Sequence, residues 1–328
     1  MTKNTISKFQ ISAHGGPEVL NLVEAALPPL GEYDVLVRHG AIGVNFIDIY
    51  FREGLYPVEL PSGLGVEAAG VVEAVGPGVT LVGVGDRVSY CMSALGAYAQ
   101  AHVVSEQTLI PLPDGISDVT AAAVTLKGLT AAFLLTSLKP LTAGDAILVH
   151  AAAGGVGQLL CQWAASMGVR VIGVVGSEQK ADTALRAGCE RAVVRGAENW
   201  VAAARDFTDG QGVKMVFDSV GADTCEQSLD CLARRGWFVS YGNASGPAPA
   251  VAPLTLMQKG SLVMTRPSLA DFISERAEML GLAEALFEKV IDGTLRVAVG
   301  LELPLSEAAK AHEMLRARKT SGSIVLTC

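Results

Sequence analysis

Apolar residues between positions 142 and 243 fall into short runs, and the segments between the runs show the three- to four-residue spacing of helices. Strands that alternate with helices indicate a parallel sheet with right-handed crossover connections. This part of the chain therefore predicts a doubly wound α/β unit. Its predicted strands are 146–150, 170–175, 191–194, 213–217 and 236–241.

The first 125 or so residues have short apolar stretches separated by frequent glycine and proline, which is typical of a β-rich domain. The predicted strands are Val35–Val37, Gly70–Val75, Asp86–Tyr90 and Tyr98–Val104. From Ser117, a suitable N-cap, to about Leu138 the alanine-rich spacing predicts a helix that leads into the α/β unit.

The end of the chain predicts two amphipathic helices, 274–291 and 306–318, and a closing strand at 323–327. We expect this tail to pack on the β-rich domain, so that two lobes enclose a cleft. The predicted domains are residues 1–125 completed by 266–328, and residues 126–265.

Only 18% of the residues are charged, so much of the chain must be buried in protein or in a membrane. The uncharged stretch 146–169 is long enough for a membrane span, but the turn residues at 153–157, which include three glycines, interrupt it. A buried strand followed by a buried helix explains this stretch better, and we expect no membrane insertion. Residues 1–5 contain no apolar signal core.

The net charge and the cysteine content indicate which partners and which cellular compartment to expect. The net charge of −8 and the absence of a basic run argue against nucleic acid as a partner. The six cysteines show neither CxxC pairing nor a compact cluster, which favours reduced thiols and a cytoplasmic protein.

A glycine turn carries the main chemical signal. Residues 151–157 read Ala-Ala-Ala-Gly-Gly-Val-Gly between a predicted strand and a predicted helix. Gly154 and Gly155 allow a close approach to a pyrophosphate, and Gly157 allows the helix to lie close to the strand. The fingerprint is incomplete because Ala152 stands where a glycine is usual, so a plain strand–helix connection remains an alternative.

Several blocks of the sequence are specific when taken together. They are Gly43–Tyr50, Gly54–Pro57, Leu60–Gly70, Leu126–Thr130, Ala151–Gly157, Phe217–Gly221, Tyr241–Asn243 and Thr265–Leu269. In this combination they resemble bacterial NADPH:quinone oxidoreductases, which belong to the zinc-free, zeta-crystallin-like branch of the medium-chain dehydrogenase/reductases. The resemblance implies a Rossmann domain, a β-rich GroES-like catalytic domain and a homodimer.

Comparison with the zinc-containing branches of this superfamily tests whether the chain has the ligands to bind zinc. Asn45 stands where zinc alcohol dehydrogenases carry their first cysteine ligand, and Val66 stands at the histidine position. The region around Ala123 offers only alanine and valine for the third ligand, and Cys91 is alone in the lobe of the structural zinc. The ligands that zinc requires are missing, so we expect no metal.

The expected cofactor is NADPH. Strand 171–175 ends without the acidic residue that binds ribose hydroxyls in NAD-preferring folds, and Glu178 comes slightly later. Ser177, Lys180 and Arg195 are candidates for binding a 2′-phosphate, and Arg195 replaces a tyrosine of close relatives. The alternative is that both cations are ordinary surface charges.

The resemblance implies a set of site residues. Asn45, Tyr50 and Tyr56 are the candidate catalytic residues, on a predicted turn; the alternative is an Asn that satisfies the turn backbone and a packed tyrosine. Lys127 and Thr130 share a helix face. For Arg266 and Arg318 there are two alternatives, binding of a phosphate or formation of an ion pair. The candidate cofactor contacts are Asn45, Tyr50, Lys127, Thr130, Gly154, Gly155, Val156, Gly176, Ser177, Lys180, Arg195, Ser219, Val220, Tyr241, Gly242, Asn243, Arg266 and Arg318.

The predicted activity is NADPH-dependent reduction of a small-molecule quinone. A quinone accepts a hydride readily, so catalysis can rest on positioning rather than on a metal or a strong acid. Two alternatives stay open: reduction of α,β-unsaturated carbonyl compounds, and a non-enzymatic, crystallin-like NADPH-binding protein. The five histidines show no triad spacing, and none is a candidate catalyst.

Overall fold

The computed structural model describes residues 5–318 and 320–328. Residues 1–4, within the segment predicted to lack a signal core, lie outside the described residues. The strands are β1 Thr5–Ile11, β2 Asn21–Ala26, β3 Asp34–Val44, β4 Ser62–Gly63, β5 Glu67–Val75, β6 Arg87–Cys91, β7 Ala101–Ser105, β8 Ile110–Pro111, β9 Ala146–His150, β10 Arg170–Val175, β11 Arg191–Val194, β12 Val213–Asp218, β13 Leu232–Ser240, β14 Val263–Thr265, β15 Val299–Pro304 and β16 Ser323–Thr327. The α-helices are α1 Phe46–Glu53, α2 Asp118–Thr136, α3 Gly155–Ser166, α4 Glu178–Arg186, α5 Trp200–Phe207, α6 Cys225–Asp230, α7 Pro253–Gln258, α8 Leu269–Phe272, α9 Arg276–Ile291 and α10 Ala308–Arg316.

The chain divides into two compact units. Unit 1 contains residues 1–129, 275–291 and 297–328, and unit 2 contains residues 130–274 and 292–296. The predicted boundary differs for 126–129, which belong to unit 1, and for 266–274 and 292–296, which belong to unit 2. Phe272 stacks on Phe133 with ring centroids 4.4 Å apart, and the backbone of Arg296 hydrogen-bonds the side chain of Gln162, which explains the difference.

Unit 1 is built on β-sheets. One sheet runs in the order β15-β16-β3-β5-β6-β8, with β7 paired to β3, and β2-β1-β4 form a second, three-stranded sheet. The longest strand, β3, pairs with β5, β7 and β16 and lies at the centre of the apolar core. Its alternating apolar positions face that core, as expected for a strand with one buried face.

Unit 2 contains a six-stranded sheet in which every neighbouring pair is parallel. The strand order is β11-β10-β9-β12-β13-β14. From β9, the chain adds β10 and β11 on one side of the sheet, and then β12, β13 and β14 on the other side. This is the order 3-2-1-4-5-6 of the doubly wound dinucleotide-binding fold. The predicted parallel α/β unit is confirmed, with β9, β10 and β11 at the predicted bounds.

Helix α2 is apolar on all sides, and its length and composition would allow it to cross a membrane. In the structure, 78% of the most apolar stretch of this helix is buried, so it is explained as a core helix. The charge-free stretch 146–169 forms β9 and α3, as predicted.

The segment after Asn45, predicted as a turn, is instead helix α1. Asp48 accepts a hydrogen bond from the backbone N–H of Asn45 at 2.8 Å, and Gly54 ends the helix in a left-handed conformation. The hydrogen bond at the first end and the left-handed glycine at the second stabilise this eight-residue helix. The helix is too short to give a strong periodic pattern of apolar residues in the sequence.

Candidate active site

The carboxyl ends of the parallel strands in unit 2 are followed, strand after strand, by predicted cofactor residues. Ligands of such sheets bind at this edge, where the strand order reverses, which here is at β9 between β10 and β12. The structure therefore brings these residues to one edge of one sheet. They are Gly154, Gly155 and Val156 after β9; Gly176, Ser177 and Lys180 after β10; Arg195 after β11; Ser219 and Val220 after β12; Tyr241, Gly242 and Asn243 after β13; and Arg266 after β14.

The glycine turn is shaped by close backbone packing. Gly154 is the N-cap residue of α3, in an extended conformation and without a side chain at the helix end. A Cβ on Gly157 would lie 2.3 Å from the carbonyl oxygen of Ala151, so only glycine lets α3 begin this close to the strand. The first N–H groups of a helix have no partner within it, and they attract anions. The turn therefore fits a pyrophosphate.

The end of β10 is open. Gly176 and Ser177 are exposed, and a Cβ on Gly176 would meet nothing within 4 Å. Ser177 is the N-cap residue of α4, and Glu178 is the first residue of that helix. A carboxylate in a first helical turn interacts favourably with the helix dipole, which gives Glu178 a role in the helix itself.

Arg195 follows β11 and faces a carboxylate. Its Nη1 lies 3.2 Å from Oδ2 of Asp223, and both side chains are partly exposed. The backbone N–H of Arg195 donates to the carbonyl of Val175 at the end of β10. The guanidinium is thus held next to the strand end that the sequence associates with the 2′-phosphate, with Asp223 as a competing anion.

Asp218, the last residue of β12, supports the candidate site and was not among the predicted residues. It is fully buried and accepts hydrogen bonds from the backbone N–H groups of Val220 and Gly221, at 2.7 and 3.1 Å. The hydroxyls of Thr224 and Ser228 also donate to it. Asp218 therefore fixes the turn that carries Ser219 and Val220.

The turn after β13 packs on the turn after β12. A Cβ on Gly242 would lie 2.6 Å from the carbonyl oxygen of Ser219, and the backbone N–H of Ala244 donates to that oxygen. Asn243 is half-buried in this arrangement. Arg266, after β14, is exposed and donates from Nη1 to the carbonyl of Pro267.

In unit 1, a buried carboxylate organises the first candidate catalytic residue. The side-chain amide of Asn45 donates to Oε2 of Glu67 at 2.8 Å. The backbone N–H of Leu126 donates to Oε1 at 2.6 Å, and Nζ of Lys127 lies 3.5 Å from Oε2. Asn45, Glu67 and Lys127 are all buried. The structure therefore joins two predicted residues, Asn45 and Lys127, through a carboxylate whose role the sequence analysis missed.

Gly43 makes this arrangement possible. A Cβ at this position would lie 2.1 Å from Oε2 of Glu67 and 2.3 Å from the carbonyl oxygen of Ala122. Gly43 lies in β3, where the strand passes close to α2. A glycine in a block that carries candidate residues is the sequence signal for such a close approach.

A second chain of hydrogen bonds starts at α1. The hydroxyl of Tyr98 donates to Oδ2 of Asp48 at 2.8 Å, and Nε2 of His312 lies 2.9 Å from the same hydroxyl. Nη1 of Arg52 donates to Nδ1 of His312, so Nε2 carries the imidazole proton and donates to Tyr98. Burial raises the pKa of Asp48 to about 7, and burial lowers the pKa of His312 to about 3.

The remaining candidates of unit 1 are aromatic or lie at helix ends. Tyr50 is buried on α1, and its ring meets that of Tyr56 edge-on, with centroids 5.4 Å apart. Phe46 and Phe51 complete this aromatic cluster. Arg318 follows α10, is exposed and has a φ of +55°.

Thr130 lies on α2 in unit 2 and is buried. Within residues 5–318 and 320–328, no group of three or more histidine, cysteine and acidic side chains is placed to hold a metal ion. Cys91 is buried, and its burial raises the pKa of its thiol.

Comparison with known proteins agrees with this architecture. The zinc-binding dehydrogenase family matches residues 155–285, and the alcohol dehydrogenase GroES-like domain matches residues 31–114. The quinone oxidoreductase of Pseudomonas aeruginosa is 48% identical over 97% of this chain and 98% of its own length. The 2-haloacrylate reductase of a Burkholderia species is 42% identical over 96% of this chain and 97% of its own.

A solved structure extends the likeness to three dimensions. The crystal structure of Escherichia coli quinone oxidoreductase complexed with NADPH is 46% identical, has a TM-score of 0.96 and covers 98% of this chain and 100% of its own. The predicted family and the predicted combination of a Rossmann sheet with a GroES-like domain are confirmed. The chain belongs to the quinone oxidoreductase branch of the medium-chain dehydrogenase/reductase superfamily.

Proposed function

We propose that this protein catalyses the NADPH-dependent reduction of quinones. The observation that carries the proposal is the match, over 98% of the chain, to a quinone oxidoreductase crystallised with NADPH. The edge of the parallel sheet and the Asn45–Glu67–Lys127 group supply the residues that this activity needs.

The cofactor's pyrophosphate would lie on Gly154, Gly155 and Val156 at the start of α3. The closeness of Gly157 to Ala151 supports this assignment, because it brings backbone N–H groups rather than side chains to the turn. The turns that carry Ser219, Val220 and Asn243 would hold the nicotinamide side. Asp218 fixes the first of these turns with buried hydrogen bonds.

The 2′-phosphate would lie at the end of β10, with Ser177, Lys180 and Arg195. Arg195 offers a planar guanidinium that suits phosphate oxygens, and Lys180 adds a second positive charge. Glu178, the residue that argues for NADH, is the first residue of α4 and stabilises that helix end. The arrangement therefore favours NADPH over NADH.

Bound NADPH supplies the hydride from its nicotinamide ring. Asn45 would present a buried amide whose orientation is set by Glu67, and Lys127 would keep a positive charge beside that carboxylate. Tyr50 and Tyr56 would bind a flat acceptor through their rings. These side chains bind and orient, which is sufficient for an acceptor as reactive as a quinone.

A second candidate activity is the reduction of activated carbon–carbon double bonds. It is favoured by one observation, the 42% identity to a 2-haloacrylate reductase over nearly the whole chain. Such a reaction adds a proton to carbon, so it makes a stronger demand for a donor near the acceptor than quinone reduction does.

The test is a paired substrate panel with NADPH and NADH. We expect quinones to be reduced faster than 2-chloroacrylate or simple enones, and NADPH to have the higher kcat/KM. Lys180→Ala and Arg195→Ala should raise the KM for NADPH while leaving that for NADH unchanged. Arg296→Ala, which changes a cation away from the strand ends, is the matched control.

Four outcomes contradict the proposal. Activity on 2-chloroacrylate or enones alone would favour the second candidate. Equal use of NADH would contradict the cofactor assignment, as would variants of Lys180 and Arg195 whose KM for NADPH is unchanged. Tight NADPH binding without turnover of any acceptor would favour a non-enzymatic protein.

We also propose a cytoplasmic homodimer. β14 is an edge strand of its sheet and carries exposed Val263, and α7 carries exposed Leu254 and Met257. An exposed edge with apolar neighbours is a natural surface for a second copy of the chain. Light scattering should give twice the chain mass, and Leu254→Glu with Met257→Glu should give the monomer; a wild-type monomer would contradict the proposal. The buried free cysteines are consistent with a reducing compartment.

A further inference from the structure

A basic cavity lies at the amino edge of the parallel sheet in unit 2. It has a volume of about 290 Å³ and is lined by residues at the starts of β9, β10, β12 and β13. The glycine turn follows the carboxyl end of β9, so this cavity is at the opposite edge from the proposed cofactor site. Its charged lining residues are Lys139, Asp145, Arg170, Asp209, Lys214, Arg234 and Arg235.

The charge of this cavity is opposite to that of the chain. Five cations and two carboxylates line it, an excess of three positive charges in a protein of net charge −8. The carboxylate of Asp145 is already occupied, because Oδ2 accepts hydrogen bonds from Lys214 at 2.6 Å and from Thr142. Arg170 pairs with Glu190, at 3.1 Å, so the charge that stays unneutralised rests mainly on the other cations of the cavity.

Two of the arginines lack a carboxylate partner. Within the described residues, neither Arg234 nor Arg235 forms an ion pair, and both are exposed. Nζ of Lys139 donates to the carbonyl of Arg235 and lies 5.9 Å from the ring centroid of Trp237. Burial lowers the pKa of Lys139, and the charges of Lys214 and Arg235 lower it further. The cations thus face one another across a shared space.

The backbone at Arg235 adds a second, independent observation. Arg235 has a φ of +61°, in the left-handed region that favours glycine. Its backbone N–H donates to the carbonyl of Gly260 at 2.8 Å, which holds this conformation. The chain keeps an arginine where glycine would be more stable, and strained non-glycine residues are concentrated at binding sites.

We propose that the basic cavity binds a small soluble diphosphate. Guanidinium groups pair with phosphate oxygens through two hydrogen bonds each, and Arg234 and Arg235 are adjacent in the chain. Ligand cavities have volumes of roughly 300–1,000 Å³, so this one is at the small end of the range and suits a diphosphate better than a nucleotide.

The probe is inorganic pyrophosphate, titrated by calorimetry into protein saturated with NADPH so that the cofactor site is occupied. We expect one saturable site, with a change in Trp237 fluorescence that is absent in Trp237→Phe. Arg235→Gly should weaken binding about tenfold or more, and it should not lower thermal stability because glycine suits the backbone. Arg235→Lys keeps the charge but loses the paired hydrogen bonds of the guanidinium, so it should bind more weakly than wild type and more tightly than Arg235→Gly.

Lys310→Ala removes an exposed cation outside the cavity and is the control for general charge effects. The proposal is wrong if the NADPH-saturated protein shows no saturable binding, or if Arg235→Gly binds pyrophosphate as wild type does. It is also wrong if Lys310→Ala weakens binding as much as Arg235→Gly. Binding to vesicles of anionic phospholipid without binding to pyrophosphate would overturn it in favour of a membrane surface.

Discussion

The side-chain amide of Asn45 donates a 2.8 Å hydrogen bond to Oε2 of Glu67, and this bond joins the start of α1 to the start of β5. Both groups are buried, so the bond is protected from water. The other carboxylate oxygen is held by the backbone N–H of Leu126, which leaves Glu67 little freedom to rotate. The orientation of a candidate catalytic amide is therefore set by a residue on another strand.

Glu67→Gln is expected to reduce kcat for quinone reduction about 10- to 100-fold, because the amide of Asn45 loses a charged acceptor and its orientation. It also leaves the buried ammonium of Lys127 without its carboxylate, which should lower the free energy of unfolding by about 3–5 kcal/mol. Steady-state kinetics and urea unfolding measure the two effects.

The matched control is Glu73→Gln on the same strand. Glu73 is exposed and pairs with Arg38 on the surface, so this variant should lose less than about 1 kcal/mol and keep its kcat. If Glu67→Gln behaves like Glu73→Gln, the carboxylate does not orient Asn45.

Gly43→Ala should disturb the Asn45–Glu67–Lys127 group by a steric clash with the carboxylate of Glu67. The added Cβ would lie 2.1 Å from Oε2 of Glu67, so either the carboxylate or the backbone of α2 must move. We expect the free energy of unfolding to fall by about 1–3 kcal/mol. Thermal and urea unfolding measure this change, and kcat should fall with it.

Gly281→Ala is the control for this substitution. A Cβ on Gly281, inside α9, meets nothing within 4 Å, so alanine should raise the free energy of unfolding by about 0.5–1 kcal/mol. Equal stability of Gly43→Ala and wild type would contradict the close contact.

The parallel sheet and its glycine turn could be predicted from sequence because each strand, turn and helix is encoded by neighbouring residues. The resemblance supplied the cofactor candidates, and topology explains why those that follow the parallel strands share one edge of the sheet. β13 begins at Leu232, earlier than the predicted 236, because its first residues include Arg234 and Arg235 and give no apolar run. The polar start of this strand is also where the basic cavity lies.

The hydrogen-bond chain of Asp48, Tyr98 and His312 could not be predicted in this way. Tyr98 lies 50 residues from Asp48 and 214 residues from His312 in sequence. Such contacts depend on how β-strands and the C-terminal helix pack, and no local spacing encodes them. No catalytic role was predicted for His312, and the structure gives it one specific tautomer and two hydrogen-bond partners, Arg52 and Tyr98.

Arg195 leads to a prediction about Asp223. These side chains form an ion pair 3.2 Å long beside the proposed 2′-phosphate position. Asp223→Ala should free the guanidinium and remove a repelling charge, so the KM for NADPH should fall by severalfold while that for NADH stays the same. Kinetics at low ionic strength measure both constants. A rise in the KM for NADPH would mean that Asp223 holds Arg195 in its binding position.

Asp48 makes the stability of the protein depend on pH. Burial raises its pKa to about 7, and the nearby charge of Glu67 also raises it, whereas Lys127 and the hydrogen bonds from Asn45 and Tyr98 lower it. Its Oδ1 is buried and makes no hydrogen bond with the described residues. Between the unfolded pKa of 3.8 and about 7, the folded protein holds a proton on Asp48 that the unfolded chain has released.

Folding therefore becomes less favourable as pH rises through this window, because the unfolded state binds fewer protons. Because the pKa of Asp48 rises from 3.8 to about 7 on folding, this side chain contributes about 4 kcal/mol to the free energy of unfolding below pH 4. That contribution is lost by about pH 7. Asp48→Asn is uncharged at every pH, so its unfolding free energy relative to wild type should rise between pH 4.5 and 8. The buried histidines destabilise both proteins toward low pH, so their contribution cancels in the difference between the two unfolding free energies. Urea unfolding at several pH values measures the difference, and a constant difference would mean that Asp48 is ionised throughout.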